Sequence, residues 1–235
     1  MSKNWRPVFF FMFIGYNRTG KSVTAQQYAN EWRMANPDGI IAGYDPQHRF
    51  RHLIDPNYRL YGGDSGWWDG EKKYLKTGRK PLNELRNALV IVDDMKGLNP
   101  GVQTGHDLLR LMEFRAEYSI DVIMIVHSPG LILEGLSIYV SHWFIYLTKG
   151  RKAKFEDKIE NFEECMLAAE LMRLYGEEFP SILEEPEQFY DNSGMGKHRF
   201  PHIVIDTTTG KLKPQNVNKE WAEKKLTEFT NRAKR

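Results

Sequence analysis

The sequence predicts an α/β fold: a mostly parallel central sheet flanked by helices, with a smaller C-terminal appendage. Three observations carry that prediction. Five apolar runs of strand length, at residues 8–14, 39–44, 88–93, 121–127 and 142–148, are near-continuously hydrophobic rather than alternating. Such runs suit strands covered on both faces of a parallel sheet. Segments able to form helices lie between them, and the alternation of strand and helix argues for a doubly wound domain. Finally, a glycine-rich turn joins the first run to the first helical segment.

The elements follow in order. Lys3 and Arg6 precede the run 8–14 as they would in a secretory signal. That run is at the short limit, lacks a small-residue cleavage site and ends in glycine, so it reads as a strand. Residues 22–34 have helical composition and stop at Asn36-Pro37. The second strand ends in Asp45-Pro46, where the chain changes direction at the sheet edge. Residues 55–86 differ in character: "YGGDSGWWDGEKKYLKTGRKP" is rich in Gly, aromatics and Lys. It reads equally as a long insertion or lid and as a surface loop packed down by Trp67 and Trp68. Leu108, Leu109, Leu111 and Met112 recur at helical spacing over 107–118 before Ser119.

The core is expected over 1–150 and a helical and hairpin appendage over 151–235. Within the latter, residues 156–191 hold twelve Asp/Glu against two Lys/Arg, a local charge of −10. Residues 211–235 hold eight Lys/Arg against three Glu, a local charge of +5. Solvated faces explain such asymmetry, and complementary patches also suit head-to-tail contacts between subunits. Residues 202–206, "TTTGK" and Leu212 suggest a strand, a turn and a hairpin.

Composition bounds the setting. The chain has 235 residues, 41% hydrophobic and 27% charged, with a formal charge of +2, so total charge indicates no particular partner. Cys165 is the single cysteine, which excludes an internal disulfide and suggests a reducing compartment. No apolar stretch approaches the ~18 residues of a membrane span. An intracellular soluble protein is expected.

Gly15-Tyr16-Asn17-Arg18-Thr19-Gly20-Lys21-Ser22 satisfies G-x-x-x-x-G-K-[ST] in full. Gly15 and Gly20 let the backbone curl so that successive N–H groups point at phosphate oxygens. The helix that follows aims its positive end at the same anion. Lys21 reaches the β- and γ-phosphates, the Ser22 hydroxyl ligates magnesium, and residues through Val23 line the nucleotide. A chance match in such a chain is on the order of one in a hundred. The expected cofactors are ATP and Mg2+.

A second element belongs to such a site: an acidic residue ending a buried strand. "ALVIVDDM", residues 88–95, supplies Asp93 and Asp94. Asp93 would hold magnesium through water and Asp94 would polarise the attacking water; the pair could instead cap the next helix. The strand in "IDVIMIVHSPG" ends at His127 and Ser128, which should face the γ-phosphate because ligands bind beyond the carboxyl ends of parallel strands. His127 could sense that phosphate or be a merely satisfied polar residue. Arginines stabilise charge on a transferring phosphoryl group, sometimes from a neighbouring subunit. Arg110, Arg115, Arg79 and Arg151 are candidates, and for Arg115 a plain surface role competes.

Taken together, these residues resemble the FtsK–HerA superfamily of P-loop motor ATPases. The order is the phosphate loop at 15–22, Asp45-Pro46, Asp93-Asp94, Arg115, and a strand ending at His127-Ser128-Pro129. The resemblance covers residues 8–148, and its phosphate loop is specific to P-loop NTPases generally. Within the superfamily the chain is similar to genome-packaging ATPases of tailless viruses, and next to the ATPase part of Zot-like phage assembly proteins. Two departures stand out: Asp94 replaces a usual Glu, and His127 replaces a common Gln or Asn.

The resemblance implies a ring of five or six identical subunits that pulls double-stranded DNA through a pore. It also implies a capsid vertex or portal partner, and a location in host cytoplasm or on the virion. Basic segments at 72–80, 151–154 and 211–235 could line the pore. The residues alone support a magnesium-dependent nucleotide hydrolase. A nucleotide kinase or other phosphotransferase, with residues 62–81 as lid, is the competing class. Only Arg79 lies in that stretch, where such enzymes cluster arginines. No Asn-Lys-x-Asp run indicates a GTPase.

Overall fold

The computed structural model describes residues 7–60, 76–77, 80–81, 85–93, 102–129, 132, 135–147, 159–180 and 200–233. The first apolar run forms β1 (Phe10–Ile14), and the glycine-rich turn leads into α1 (Lys21–Ala35). Then come β2 (Ile40–Tyr44), three two-residue strands β3 (Arg59–Leu60), β4 (Lys76–Thr77) and β5 (Lys80–Pro81), and β6 (Ala88–Val92). α2 (Val102–Tyr118) precedes β7 (Ile120–Val126) and β8 (His142–Tyr146). The chain closes with α3 (Phe162–Glu178), the hairpin β9 (His202–Asp206) and β10 (Lys211–Gln215), and α4 (Lys219–Ala233).

All strands join one sheet in the order β10-β9-β8-β1-β7-β6-β2-β3-β4-β5. The five central strands, β8-β1-β7-β6-β2, are the five apolar runs of the sequence, and every pairing among them is parallel. The fold is therefore a mostly parallel α/β sheet, as the sequence predicts. β9 pairs antiparallel with β8, so the C-terminal hairpin extends the main sheet. β3 to β5 widen the opposite edge; the remainder of the expected insertion, with Trp67 and Trp68, lies outside the described residues.

Alternation sorts the sheet's side chains into two layers. Phe13, Ile41, Ile91, Ile123 and Ile125 face α1, where Ala25, Ala29 and Trp32 repeat at helical spacing. The two alanines let the helix lie close to the sheet. Met12, Ile14, Val90, Val92, Val122 and Met124 face the other layer, built from α2, α3 and α4. α2 begins five residues before the predicted start at 107, and Gly105 sits inside it.

Candidate nucleotide site

Every central strand is parallel, so every carboxyl end lies on one edge, and the turn after β1 emerges there. Gly15 N–H donates to Val126 O at the end of β7 (3.4 Å), and Tyr16 N–H to Leu147 O beyond β8 (3.3 Å). A Cβ on Gly15 would stand 2.6 Å from Tyr146 Cβ, so the loop's first position admits only glycine. The loop then closes on itself: Thr19 Oγ1 (2.8 Å) and Lys21 Nζ (2.5 Å) both donate to Tyr16 O. Thr19 and Lys21 are buried, while Tyr16, Asn17 and Arg18 are exposed, Arg18 with φ +63°.

Gly20 caps α1 in the left-handed region (φ +90°), and no acidic residue occupies the helix's first turn. The partial positive charge of the helix end is thus left for an anion to meet. Ser22 and Val23 follow on the first turn, both half-buried.

Phe200, which the sequence did not single out, lies directly on this turn. A Cβ at Gly20 would fall 2.0 Å from Phe200 Cγ. Phe200 O accepts from Asn216 Nδ2 (3.4 Å) and pairs with His202 Nδ1 (2.8 Å), and the His202 ring stacks on Tyr146 at 4.7 Å. The C-terminal hairpin therefore braces the loop from the side of β8. Burial pushes the Tyr146 phenol far above its ordinary range, so it stays protonated.

Asp93 follows β6, fully buried, with its N–H donating to Tyr44 O (2.9 Å). β7 separates β6 from β1, yet the Arg49 side chain reaches both Asp93 and the loop. Arg49 Nη1 donates to Ser22 Oγ at 2.9 Å and lies 4.0 Å from Asp93 Oδ2. Arg49 comes from the segment that begins with Asp45-Pro46, and Asp45 is what positions it. Asp45 Oδ1 accepts Arg49 N–H (2.9 Å) and Oδ2 accepts Phe50 N–H (2.6 Å). An Asp-Pro at a strand end, followed by Arg before a buried Phe, is the signal that could have found it.

The donor set fits magnesium. A hydroxyl and a carboxylate are hard oxygen ligands, and a guanidinium already stands at both as a cation would. Among the described residues no three His, Cys, Asp or Glu side chains group as a metal cage. Mg2+ needs none, because it keeps several waters and takes its other ligands from phosphates.

The other candidates divide. His127, half-buried, directly follows β7, whose last carbonyl receives Gly15 N–H, so it belongs to the same edge. Ser128 beside it is exposed. Arg115 lies at the opposite edge: it is in the last turn of α2, before the amino end of β7, and Nη2 donates to Tyr139 O (2.9 Å). Burial lowers its pKa, opposed by the charge of Asp121 and by Tyr139. The length of β7, about 20 Å, separates it from the phosphate loop of its own chain. Asp94, Arg79 and Arg151 lie outside the described residues, as does the side chain of Arg110.

No family model matches the sequence, and no curated protein matches it either. Solved structures do. The genome-packaging NTPase B204 of Sulfolobus turreted icosahedral virus 2, in complex with sulfate, is similar with a TM-score of 0.51 and 9% identity. The likeness covers 91% of this chain and 98% of that one. The same NTPase in complex with AMP gives 0.50 and 8% identity over 88% and 97%. The N-terminal domain of zonular occludens toxin from Neisseria meningitidis lies farther off, at 0.38 and 10% identity over 93% and 98%. At such identity the likeness is one of fold, and that fold, with a phosphate-loop sequence between β1 and α1, is the P-loop NTPase fold.

Proposed function

We propose that this chain is a magnesium-dependent ATPase whose hydrolysis drives double-stranded DNA, packaging a viral genome into a preformed capsid. The observation that supports it is the convergence of Lys21, Ser22 and Asp93 at one sheet edge, on a fold shared with a genome-packaging NTPase.

In this reading ATP phosphates enter the curl of residues 15–22, with Val23 beside them on the first turn of α1. Lys21 leaves the Tyr16 carbonyl for β- and γ-phosphate oxygens, and the amino end of α1 adds its dipole. Ser22 and Asp93 hold Mg2+, which when bound neutralises charge on the phosphates. Asp94 accepts a proton from the attacking water, and His127 reports the γ-phosphate to the sheet. Arg115, turned away from its own loop, acts on a neighbouring subunit's nucleotide. The active form is a ring of five or six subunits docked on a capsid vertex or portal, in host cytoplasm or on the virion. Among the described residues no helix is long and apolar enough to cross a membrane.

A motor must grip DNA without reading it, so its contacts are to phosphates. Hydrolysis by the assembled ring should rise with duplex DNA of any sequence. The stimulation should weaken steeply with salt, with a logarithmic slope of about −0.9 per neutralised phosphate. Lys21→Ala serves as the control without hydrolysis. Turnover unchanged by duplex DNA at low salt, in a ring verified by mass, overturns the motor. A response to a small phosphate acceptor instead favours a kinase.

A further inference from the structure

The segment after β2 fixes the backbone of Arg49 and leaves its side chain partly exposed. Asp45 takes the N–H groups of Arg49 and Phe50, and Gln26 Nε2 on α1 donates to Arg49 O at 2.7 Å. Phe50 is fully buried in the layer under α1. The Arg49 side chain is 40% exposed, and its Nη1 sits at 2.9 Å from Ser22 Oγ and 4.0 Å from Asp93 Oδ2.

That position conflicts with a divalent cation. Ser22 Oγ accepts from the guanidinium with a lone pair, and the same oxygen must face Mg2+ if Ser22 is to ligate it. The guanidinium and Mg2+ therefore compete for that hydroxyl and for the carboxylate that lies 4.0 Å from the guanidinium, because like charges repel at such range. Bound Mg2+ must therefore displace the guanidinium, and the pinned backbone limits where it can go. The nearest new anion is the end of a triphosphate chain lying along the loop, and the planar guanidinium fork matches phosphate oxygens. A diphosphate offers nothing there.

We propose that Arg49 reads the terminal phosphate within its own chain: it exchanges Ser22 and Asp93 for γ-phosphate oxygens when a magnesium triphosphate binds, and competes with Mg2+ when only a diphosphate is present. Arg49 is thus what makes the site prefer triphosphate over diphosphate. The inference rests on the reading of this edge as a magnesium-nucleotide site.

The test is calorimetric titration of the nucleotide-stripped protein with ADP and with AMPPCP, each with and without Mg2+. Arg49→Ala should weaken AMPPCP·Mg2+ binding about tenfold, leave ADP·Mg2+ binding equal or tighter, and so collapse the preference for triphosphate. Arg49→Lys, which keeps charge without the fork, should retain part of that preference. Arg49→Gln, of similar bulk, repeats the measurement should the alanine variant melt early. An unchanged AMPPCP-to-ADP preference in folded Arg49→Ala or Arg49→Gln overturns the proposal and leaves the nucleotide site standing. Failure of the wild-type chain to bind either nucleotide overturns both.

Discussion

Asp93, just after β6, and Asp121, on the neighbouring β7, are both fully buried carboxylates, yet their surroundings differ. Asp121 stands at the amino edge of β7, where Oδ1 accepts Phe9 N–H (2.9 Å) and Oδ2 accepts Trp32 Nε1–H (2.6 Å). Both oxygens are engaged in tying the start of β1 and the end of α1 to the sheet. Asp93 stands at the carboxyl edge of β6 and looks across 4.0 Å, beyond hydrogen-bond length, at the half-exposed Arg49. The amino edge spends its charges on the fold, as the Arg115–Tyr139 bond also shows. The carboxyl edge sets its carboxylate near a partly exposed guanidinium, which on the proposal above a magnesium triphosphate displaces. Burial alone does not mark a functional carboxylate; its partners do.

Substituting each aspartate by asparagine tests the contrast most severely. Asp93→Asn should cut magnesium-dependent ATP hydrolysis by about a hundredfold in a chain that still folds. Asp121→Asn should do the reverse. Its amide turns an N–H2 toward Trp32 Nε1–H or Phe9 N–H, and the loss should be about 2–3 kcal/mol in denaturant titration. Nucleotide affinity in the folded fraction should be unchanged. An Asp121→Asn protein of wild-type stability, or an Asp93→Asn protein of wild-type turnover, would erase the distinction between the edges.

Arg115 sharpens it at intermediate size. Arg115→Ala leaves the Tyr139 carbonyl without its donor and should cost about 1–2 kcal/mol, read by the same titration. In the ring proposed above, mixing Arg115→Ala and Lys21→Ala subunits should regain part of the lost hydrolysis, because some interfaces would then carry both intact elements. No recovery in verified mixed rings assigns Arg115 to the fold alone.

The smallest effect concerns His142, the first residue of β8, edge-on to Phe11 at 5.3 Å. Burial lowers its pKa, outweighing Asp206, which raises it; Lys213 lowers it further. The native state thus binds this proton less readily than the unfolded chain does. Its contribution to stability is complete above the unfolded pKa of about 6.5 and is lost as pH falls through the lower folded value. NMR titration should place the His142 midpoint below that of a model peptide, and His142→Gln should flatten the stability slope just below neutrality. A midpoint at or above the peptide value contradicts this.

What the sequence determined by itself was local. Eight consecutive residues, 15–22, contain the glycines, lysine and hydroxyl of the loop, so the chemistry of the curl is legible wherever the chain lies. The five core strands were legible too, because a strand covered on both faces must be apolar throughout. That same uniformity hides the neighbours: strands without a polar face carry no mark of which lies beside which. The insertion of β7 between β1 and β6, and the addition of β9 to β8, were therefore decided by tertiary packing. So were the contacts that depend on it. Ser22 meets Arg49 across 27 residues of chain, Arg49 faces Asp93 from the segment after β2, and Phe200 presses on Gly20 from the far end of the sequence. Such pairs exist only once the order of strands has brought their carboxyl ends to one edge.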